Sequence, residues 1–105
     1  MFCSQYYHIV YCNCELKQEF VLNHLRNIFD KKKKKIQEYI IITINKNIHA
    51  YFKLDKSYHV LNIKFFDIDK YHPIISISCA KSYISHYVKS CTHITNTNFN
   101  KDIST

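Results

Sequence analysis

The 105-residue chain contains no glycine, no tryptophan and only one proline. Glycine usually takes the left-handed backbone positions of tight turns, so we expect asparagine to take them here, at Asn45, Asn47 and Asn62. The sequence also lacks an apolar run of the roughly 20 residues that a membrane-spanning helix needs. We therefore expect a soluble protein without a transmembrane helix.

Acidic residues are few as well. The five cysteines are odd in number, and no apolar segment near the N-terminus resembles a cleaved signal sequence, so we expect an intracellular, reduced protein. The 15 Lys and Arg residues against 8 Asp and Glu residues give a formal charge of +7. Such a surface attracts phosphate backbones or anionic membranes, although the run Lys31 to Lys35 is typical of a solvated loop.

The N-terminal third of the chain predicts a strand followed by a helix. Tyr6 to Cys12 is dense in β-branched and aromatic residues, with Tyr7, Ile9 and Tyr11 on one face of the predicted strand. The following segment has helical spacing, with Asn13 as the expected N-cap and the lysine run as the expected end. The apolar stripe of this helix is predicted to contain Leu16, Phe20, Val21, Leu25 and Ile28.

The rest of the chain predicts further strands and a second helix. We expect a hairpin of 38–44 and 48–54, a strand at 61–66, a short strand at 74–78 and a helix at 80–91. This order predicts an α+β fold, an antiparallel β-sheet with helices packed on one face, related to ferredoxin-like folds. A single domain at 1–92 and a polar tail at 93–105 follow from the composition.

Two features are candidates for chemistry. His49 lies on a predicted strand, and Asn47 lies two residues earlier, so both side chains are expected on one sheet face. A pair of histidines at this spacing often binds a metal ion, but a lone strand histidine is more often a hydrogen-bonded structural residue. Tyr83 and Tyr87 share one face of the last predicted helix, where a phenol can attack a phosphodiester or simply pack.

Several segments, in the same order, resemble the replication-initiator protein of geminiviruses. Residues 7–19 resemble its opening strand and helix start, and 47–53 resemble its H-L-H-V-L-I-Q metal strand. Residues 65–68 are similar to its F-F-D-L motif, and 71–76 to its F-H-P-N-I-Q motif. Residues 85–88 are similar to its K-S-Y-I segment, and the matched positions extend over about residues 6–92.

The resemblance implies an HUH endonuclease fold and the initiation of rolling-circle replication. The family binds an origin stem-loop as single-stranded DNA, holds Mg²⁺ or Mn²⁺ with two histidines and a glutamate, and nicks one strand through a 5′-phosphotyrosyl link. Tyr87 is then the nucleophile, Lys89 contacts phosphate, and His49 with Asn47 holds the metal ion, with Glu38 as a further ligand. A eukaryotic viral origin would place the protein in the host nucleus.

This sequence departs from the family at its metal site. The first histidine of the family motif is Asn47, and the position of the family's glutamate falls near Thr43 or Asn45. An amide oxygen is a weaker, uncharged ligand for a hard cation, so two of the three ligands are weakened. The metal motif is therefore degenerate, and the catalytic competence of the site stays open.

Two functions remain open on this basis. One is a nicking endonuclease, and the other is a decayed or repurposed module that binds single-stranded DNA. In the second function Tyr7, Tyr11 and Tyr51 stack on bases, while lysines such as Lys53 and Lys56 bind phosphates. A zinc-stabilised domain using Cys12, Cys14, Cys91 and His93 has ligand spacings that are too short, and an RNA-binding sheet is also compatible with strand aromatics.

Overall fold

The computed structural model describes residues 2–62, 64–76 and 90–96. These residues form one α-helix and five strands, in an order that begins with a strand and continues with the helix. The elements are β1 (Phe2–Tyr11), α1 (Gln18–Asp30), β2 (Ile36–Ile44), β3 (Asn47–Val60), β4 (Ile74–Ser76) and β5 (His93–Thr95).

The five strands form one sheet in the order β4-β1-β3-β2-β5, and every neighbouring pair is antiparallel. Because β1 and β2 are both antiparallel to β3, they run parallel to each other with β3 between them. Helix α1 connects β1 to β2, so these elements form a split β-α-β unit. The predicted α+β class with an antiparallel sheet is confirmed, with one helix in the described part of the chain.

Helix α1 packs on one face of the sheet, which we call the helix face. Its buried residues are Val21, Leu22, Leu25 and Phe29, which join the odd-numbered residues of β1 and the even-numbered residues of β3 in the main core. The predicted stripe was wrong at Phe20, which is 52% exposed. Leu22 and Phe29 are buried on this helix as well, although they were not part of the predicted stripe. The helix begins at Gln18, and its N-cap is Lys17 rather than the predicted Asn13.

The β2–β3 hairpin is confirmed and is longer than predicted. Its turn is Asn45-Lys46, and both residues have positive φ, 51° and 68°. Two-residue hairpin turns of this kind match the right-handed twist of the strands, and asparagine tolerates the first position well. The expectation for Asn45 is therefore confirmed, whereas Asn47 is the first residue of β3 and has no positive φ.

The second half of the chain differs from the prediction at two places. Strand β3 continues to Val60, and the described residues from 61 to 66 form a loop and a turn rather than a strand. Residues 93–95, which were predicted to belong to a polar tail, form the edge strand β5 on β2. The predicted helix at 80–91 lies mostly outside the described residues. Within the described part of the chain, no helix is long and apolar enough to cross a membrane.

Candidate functional site

The sheet face opposite α1, which we call the distal face, carries the candidate site residue His49. Residues at this face are the even-numbered ones of β1, the odd-numbered ones of β3 up to Lys53 and the even-numbered ones of β2 from Glu38. The β2 half is apolar and buried, with Ile40, Ile42 and Ile44 packed around Tyr51. The β1 half is only half-buried and carries Tyr6, His8 and Val10. Accessible chemistry on this face is therefore concentrated along β1 and its neighbour β3.

A pair of histidines lies at the centre of the distal face. Val10 is opposite His49 and His8 is opposite Tyr51, so the two histidines are diagonal neighbours on adjacent central strands. His8 Nε2 and His49 Nδ1 are 3.0 Å apart, so one ring nitrogen donates a hydrogen bond to the other. The two rings are stacked, with centroids 5.2 Å apart and planes 24° apart. His49 is only 7% exposed, and His8 is half-buried beside it.

Both histidines are electrically neutral at physiological pH. Burial lowers the pKa of His8 to about 4, and the neighbouring His49 adds to this effect because two adjacent imidazolium ions repel each other. Burial also lowers the pKa of His49. Each neutral imidazole therefore has one N–H group that donates and one ring nitrogen that accepts, which suits the hydrogen bond shared by the two rings.

Asn47, the other predicted metal ligand, holds a turn. Its Oδ1 accepts a hydrogen bond from the backbone N–H of Asn13 at 3.0 Å, in the segment that leads from β1 to α1. Asn13 has a φ of 47°, so this contact stabilises a left-handed turn residue. The amide oxygen that was expected to bind a cation thus stabilises a turn within the protein, and its role as a metal ligand stays a prediction.

Among the described residues, the expected carboxylate ligand Glu38 lies far from His49 along the sheet. Glu38 pairs with Lys53 and lies four strand positions from Ile42, the residue opposite His49, which is about 13 Å along the strand. Thr43 lies on the helix face, where its hydroxyl accepts a hydrogen bond from Gln18. Among the described residues no three His, Cys, Asp or Glu side chains are grouped to hold a metal ion. The described residues therefore do not supply the ligand set of the expected Mg²⁺ or Mn²⁺ site.

Tyr7 and Tyr11 do not lie where base stacking requires them. They are 0% and 1% exposed and belong to the core on the helix face. The hydroxyl of Tyr7 donates to the carbonyl of Tyr58 at 2.7 Å, and that of Tyr11 donates to the carbonyl of Phe66 at 2.6 Å. Because their rings are enclosed by protein, neither can stack on a base, and this prediction is corrected. Tyr51 is buried in the same way on the distal face.

The predicted phosphate-binding lysines occupy different places. Lys53 lies on the distal face with its Nζ 5.7 Å from the ring centre of Tyr6, its partner on β1. Lys56 is exposed further along β3, next to Asp55, whose backbone N–H donates to the carbonyl of Lys35. The lysine run and Lys56 thus lie together at the end of the sheet away from His49, whereas Lys53 shares the face of the histidine pair.

The remaining predicted site residues fall into two groups. Tyr87, Lys89 and Tyr83 lie outside the described residues, so their predicted roles stay predictions. The zinc hypothesis is wrong for the described cysteines, because Cys14 packs in the core on the helix face and Cys91 packs on the distal face.

Sequence reasoning missed His8 and Tyr6 as members of the site. His8 was placed correctly on the face opposite Tyr7, but nothing local to the sequence says which residue of β3 lies beside it. The signal that would have found it is the alternation of the two strands combined with their register, and the register follows from the long-range pairing of β1 with β3.

No protein-family model matches this chain, and no curated protein matches it significantly.

Proposed function

We propose that the chain is a DNA-processing domain of the replication-initiator type, which nicks single-stranded DNA at an origin stem-loop. The observation that carries this proposal is the position of His49. It lies on the central strand β3, on the face that α1 leaves uncovered, with a second imidazole 3.0 Å away. The resembling family places its metal-binding imidazoles on a strand of this kind.

The strand order supports the same proposal at the level of the fold. The part β4-β1-β3-β2 of the sheet, with α1 between β1 and β2, is the arrangement of the first four strands in a ferredoxin-like sheet. We therefore propose the ferredoxin-like, HUH-type variant of the α+β class. In this fold the face without α1 is the surface on which substrate strands lie.

The charges and rings of the distal face suit single-stranded DNA. Lys53 and Tyr6 lie side by side there, which combines a phosphate-binding cation with a partly buried aromatic ring. Tyr6 thereby takes the stacking role that was expected of Tyr7 and Tyr11. The formal charge of +7 supplies a sequence-independent attraction to the backbone.

The proposed reaction is a transesterification at phosphorus. The deprotonated hydroxyl oxygen of Tyr87 forms a bond to the phosphorus of the scissile phosphodiester, and the bond from phosphorus to O3′ breaks. The phenolic proton is transferred through solvent to the departing O3′. The products are a free 3′-hydroxyl and a 5′-phosphate joined to the tyrosine, and Lys89 is proposed to contact that phosphate.

A second candidate is a module that binds single-stranded DNA without cutting it. Two observations favour it, the engagement of the Asn47 amide with Asn13 and the lack of a three-residue metal group among residues 2–62, 64–76 and 90–96. Such a module needs only the positive surface and the distal face. Its affinity for DNA falls by roughly 10- to 100-fold between 50 and 200 mM salt, and it forms no covalent adduct.

A denaturing gel separates the two candidates. The protein is incubated with Mn²⁺, or with Zn²⁺ in a parallel reaction, and a labelled stem-loop DNA. Nicking predicts a labelled covalent adduct that Tyr87→Phe abolishes and that Tyr83→Phe, the matched control on the same segment, leaves unchanged. An adduct that depends on Tyr83 instead would show that the assignment of Tyr87 as the nucleophile is wrong. Binding without any adduct under either ion refutes the endonuclease and leaves the binding module.

A further inference from the structure

The histidine pair on the distal face has a geometry that could bind a metal ion, and no sequence motif predicts it. His8 comes from β1 and His49 from β3, so the two ligands are separated by 41 residues along the chain. Sequence-based searches look for histidines two to four residues apart, and this pair escapes them. The strand register alone brings the rings together.

We propose that His8 and His49 together bind a divalent cation of the kind that prefers imidazole ligands, such as Zn²⁺, through His8 Nε2 and His49 Nδ1. His8 then supplies the imidazole that is missing at position 47. The proposal deepens the function proposed above by naming the ion and its ligands, and the role of that ion in nicking rests on that function. Binding of the ion to the two histidines does not depend on that function.

The distance between the two nitrogen atoms supports a shared ion. Zinc–nitrogen bonds are about 2.1 Å long, so two imidazole nitrogens on one tetrahedral zinc ion lie about 3.4 Å apart. His8 Nε2 and His49 Nδ1 are 3.0 Å apart. Both rings must rotate about their side-chain bonds to turn the two nitrogen lone pairs from the shared hydrogen bond towards one ion.

The choice of ion follows from the donor atoms. Mg²⁺ and Ca²⁺ require oxygen ligands, and neither ring offers one. Imidazole suits Zn²⁺, Ni²⁺, Co²⁺ and Cu²⁺, whose affinities for nitrogen sites exceed that of Mn²⁺. The site therefore differs from the resembling family in its ion preference as well as in its ligand set. Water or a DNA phosphate oxygen completes the coordination.

The inference is tested with purified protein, without DNA. The Cys12→Ser variant serves as the reference, because the thiol of Cys12 is exposed and competes for zinc. Zn²⁺ at about ten times its Kd is expected to raise the melting temperature by roughly 5 °C, while Mg²⁺ has no effect. Long-range ¹H–¹⁵N spectra of the histidine rings are expected to show zinc-dependent shifts at His8 Nε2 and His49 Nδ1.

Matched variants decide the ligand assignment. His8→Gln and His49→Gln are each expected to reduce zinc affinity by tenfold or more, whereas Asn47→Ala and the exposed-site variant His59→Ala retain it. Zinc binding that survives His8→Gln, or the absence of shifts at either nitrogen in the unsubstituted rings, overturns the inference. The ring spectra need no histidine variant, so a variant that fails to fold does not prevent the test.

The outcome is independent of the nicking assay. Zinc binding at both histidines with no DNA adduct upholds this inference and refutes the endonuclease. A Mn²⁺-dependent adduct in a protein that shows no zinc shift at His8 or His49 overturns this inference and upholds the endonuclease.

Discussion

Adjacent side chains along strand β1 of this protein have different roles. Tyr7 and Tyr11 bury their rings and satisfy carbonyl groups of later segments, while Tyr6 and His8 face away from α1. The alternation of a strand separates structural from candidate functional residues in this way. Residues of one type in one short segment therefore have opposite predicted responses to substitution.

Removal of the hydroxyl of Tyr11 is expected to destabilise the fold. The Tyr11→Phe variant leaves the carbonyl of Phe66 buried without its partner, which costs about 1–3 kcal/mol in the free energy of unfolding. Urea denaturation measures this change. Tyr6→Phe is the control, since the Tyr6 hydroxyl donates no hydrogen bond to other described residues. This substitution is expected to lower the free energy of unfolding by less than about 0.5 kcal/mol. Equal effects of the two substitutions contradict the burial of Tyr11.

Acid is expected to destabilise the protein through His8. Its pKa is about 4 when folded and 6.5 when exposed in the unfolded chain, so between these values the unfolded state binds more protons. Stability is therefore complete above pH 6.5 and is lost as the pH falls towards 4. Because His8 is partly exposed, we discount the loss to about 1–2 kcal/mol.

The pH effect is measured by chemical denaturation in metal-free buffer at pH 7.5 and pH 4.5. The His8→Gln variant is expected to lose a substantial part of the difference between the two pH values. A variant with the same pH dependence as the unsubstituted protein would show that His8 is not desolvated beside His49.

At the scale of elements, sequence patterns correctly predicted the features that depend on a few neighbouring residues. The β1 alternation, the end of α1 at the lysines and the hairpin around Asn45 agree with the structure. The polar stretch of β3 from Asp55 to His59 gave no strand signal. Its last two residues, Tyr58 and His59, pair with Ser4 and Cys3 at the start of β1, which is a long-range contact. The position of His8 beside His49 was missed for the same reason, since register is a long-range property.

The hairpin turn is expected to tolerate glycine better than its own lysine. Lys46 has a φ of 68°, where a side chain is unfavourable, so Lys46→Gly is expected to stabilise the protein by about 0.5–1 kcal/mol. Lys56→Gly is the control in strand β3, where glycine is expected to destabilise by a similar amount. Thermal unfolding measures both. A destabilising Lys46→Gly contradicts the turn geometry.

Strand β5 is expected to contribute to stability although its sequence predicts a tail. Ile94 packs against the main core, so Ile94→Ala is expected to cost about 1–2 kcal/mol, less than a fully buried isoleucine. Ile74→Ala, at a side chain that is 62% exposed on the opposite edge strand, is expected to be nearly neutral. Denaturant midpoints compare the two variants. A neutral Ile94→Ala would mean that residues 93–95 do not pack on the sheet.

At the scale of the whole molecule, the two sheet faces divide structure from proposed function. The helix face holds the main core, whereas the distal face combines a buried β2 half with a half-open β1 half that carries the histidine pair. The lysine run and Lys56 lie at one end of the sheet. Lys53 lies between them and His49 on strand β3. In the proposed function, a DNA strand that follows these charges would run along β1 on the distal face.

Chemical-shift mapping with a short single-stranded DNA tests this central claim most directly. In ¹⁵N-labelled protein at low salt, the account predicts the largest shifts at Tyr6, His8 and Lys53, with little change at the exposed residues of α1 such as Asn23 and Asn27. Shifts confined to α1, or spread evenly over the surface without a maximum on β1, would contradict it.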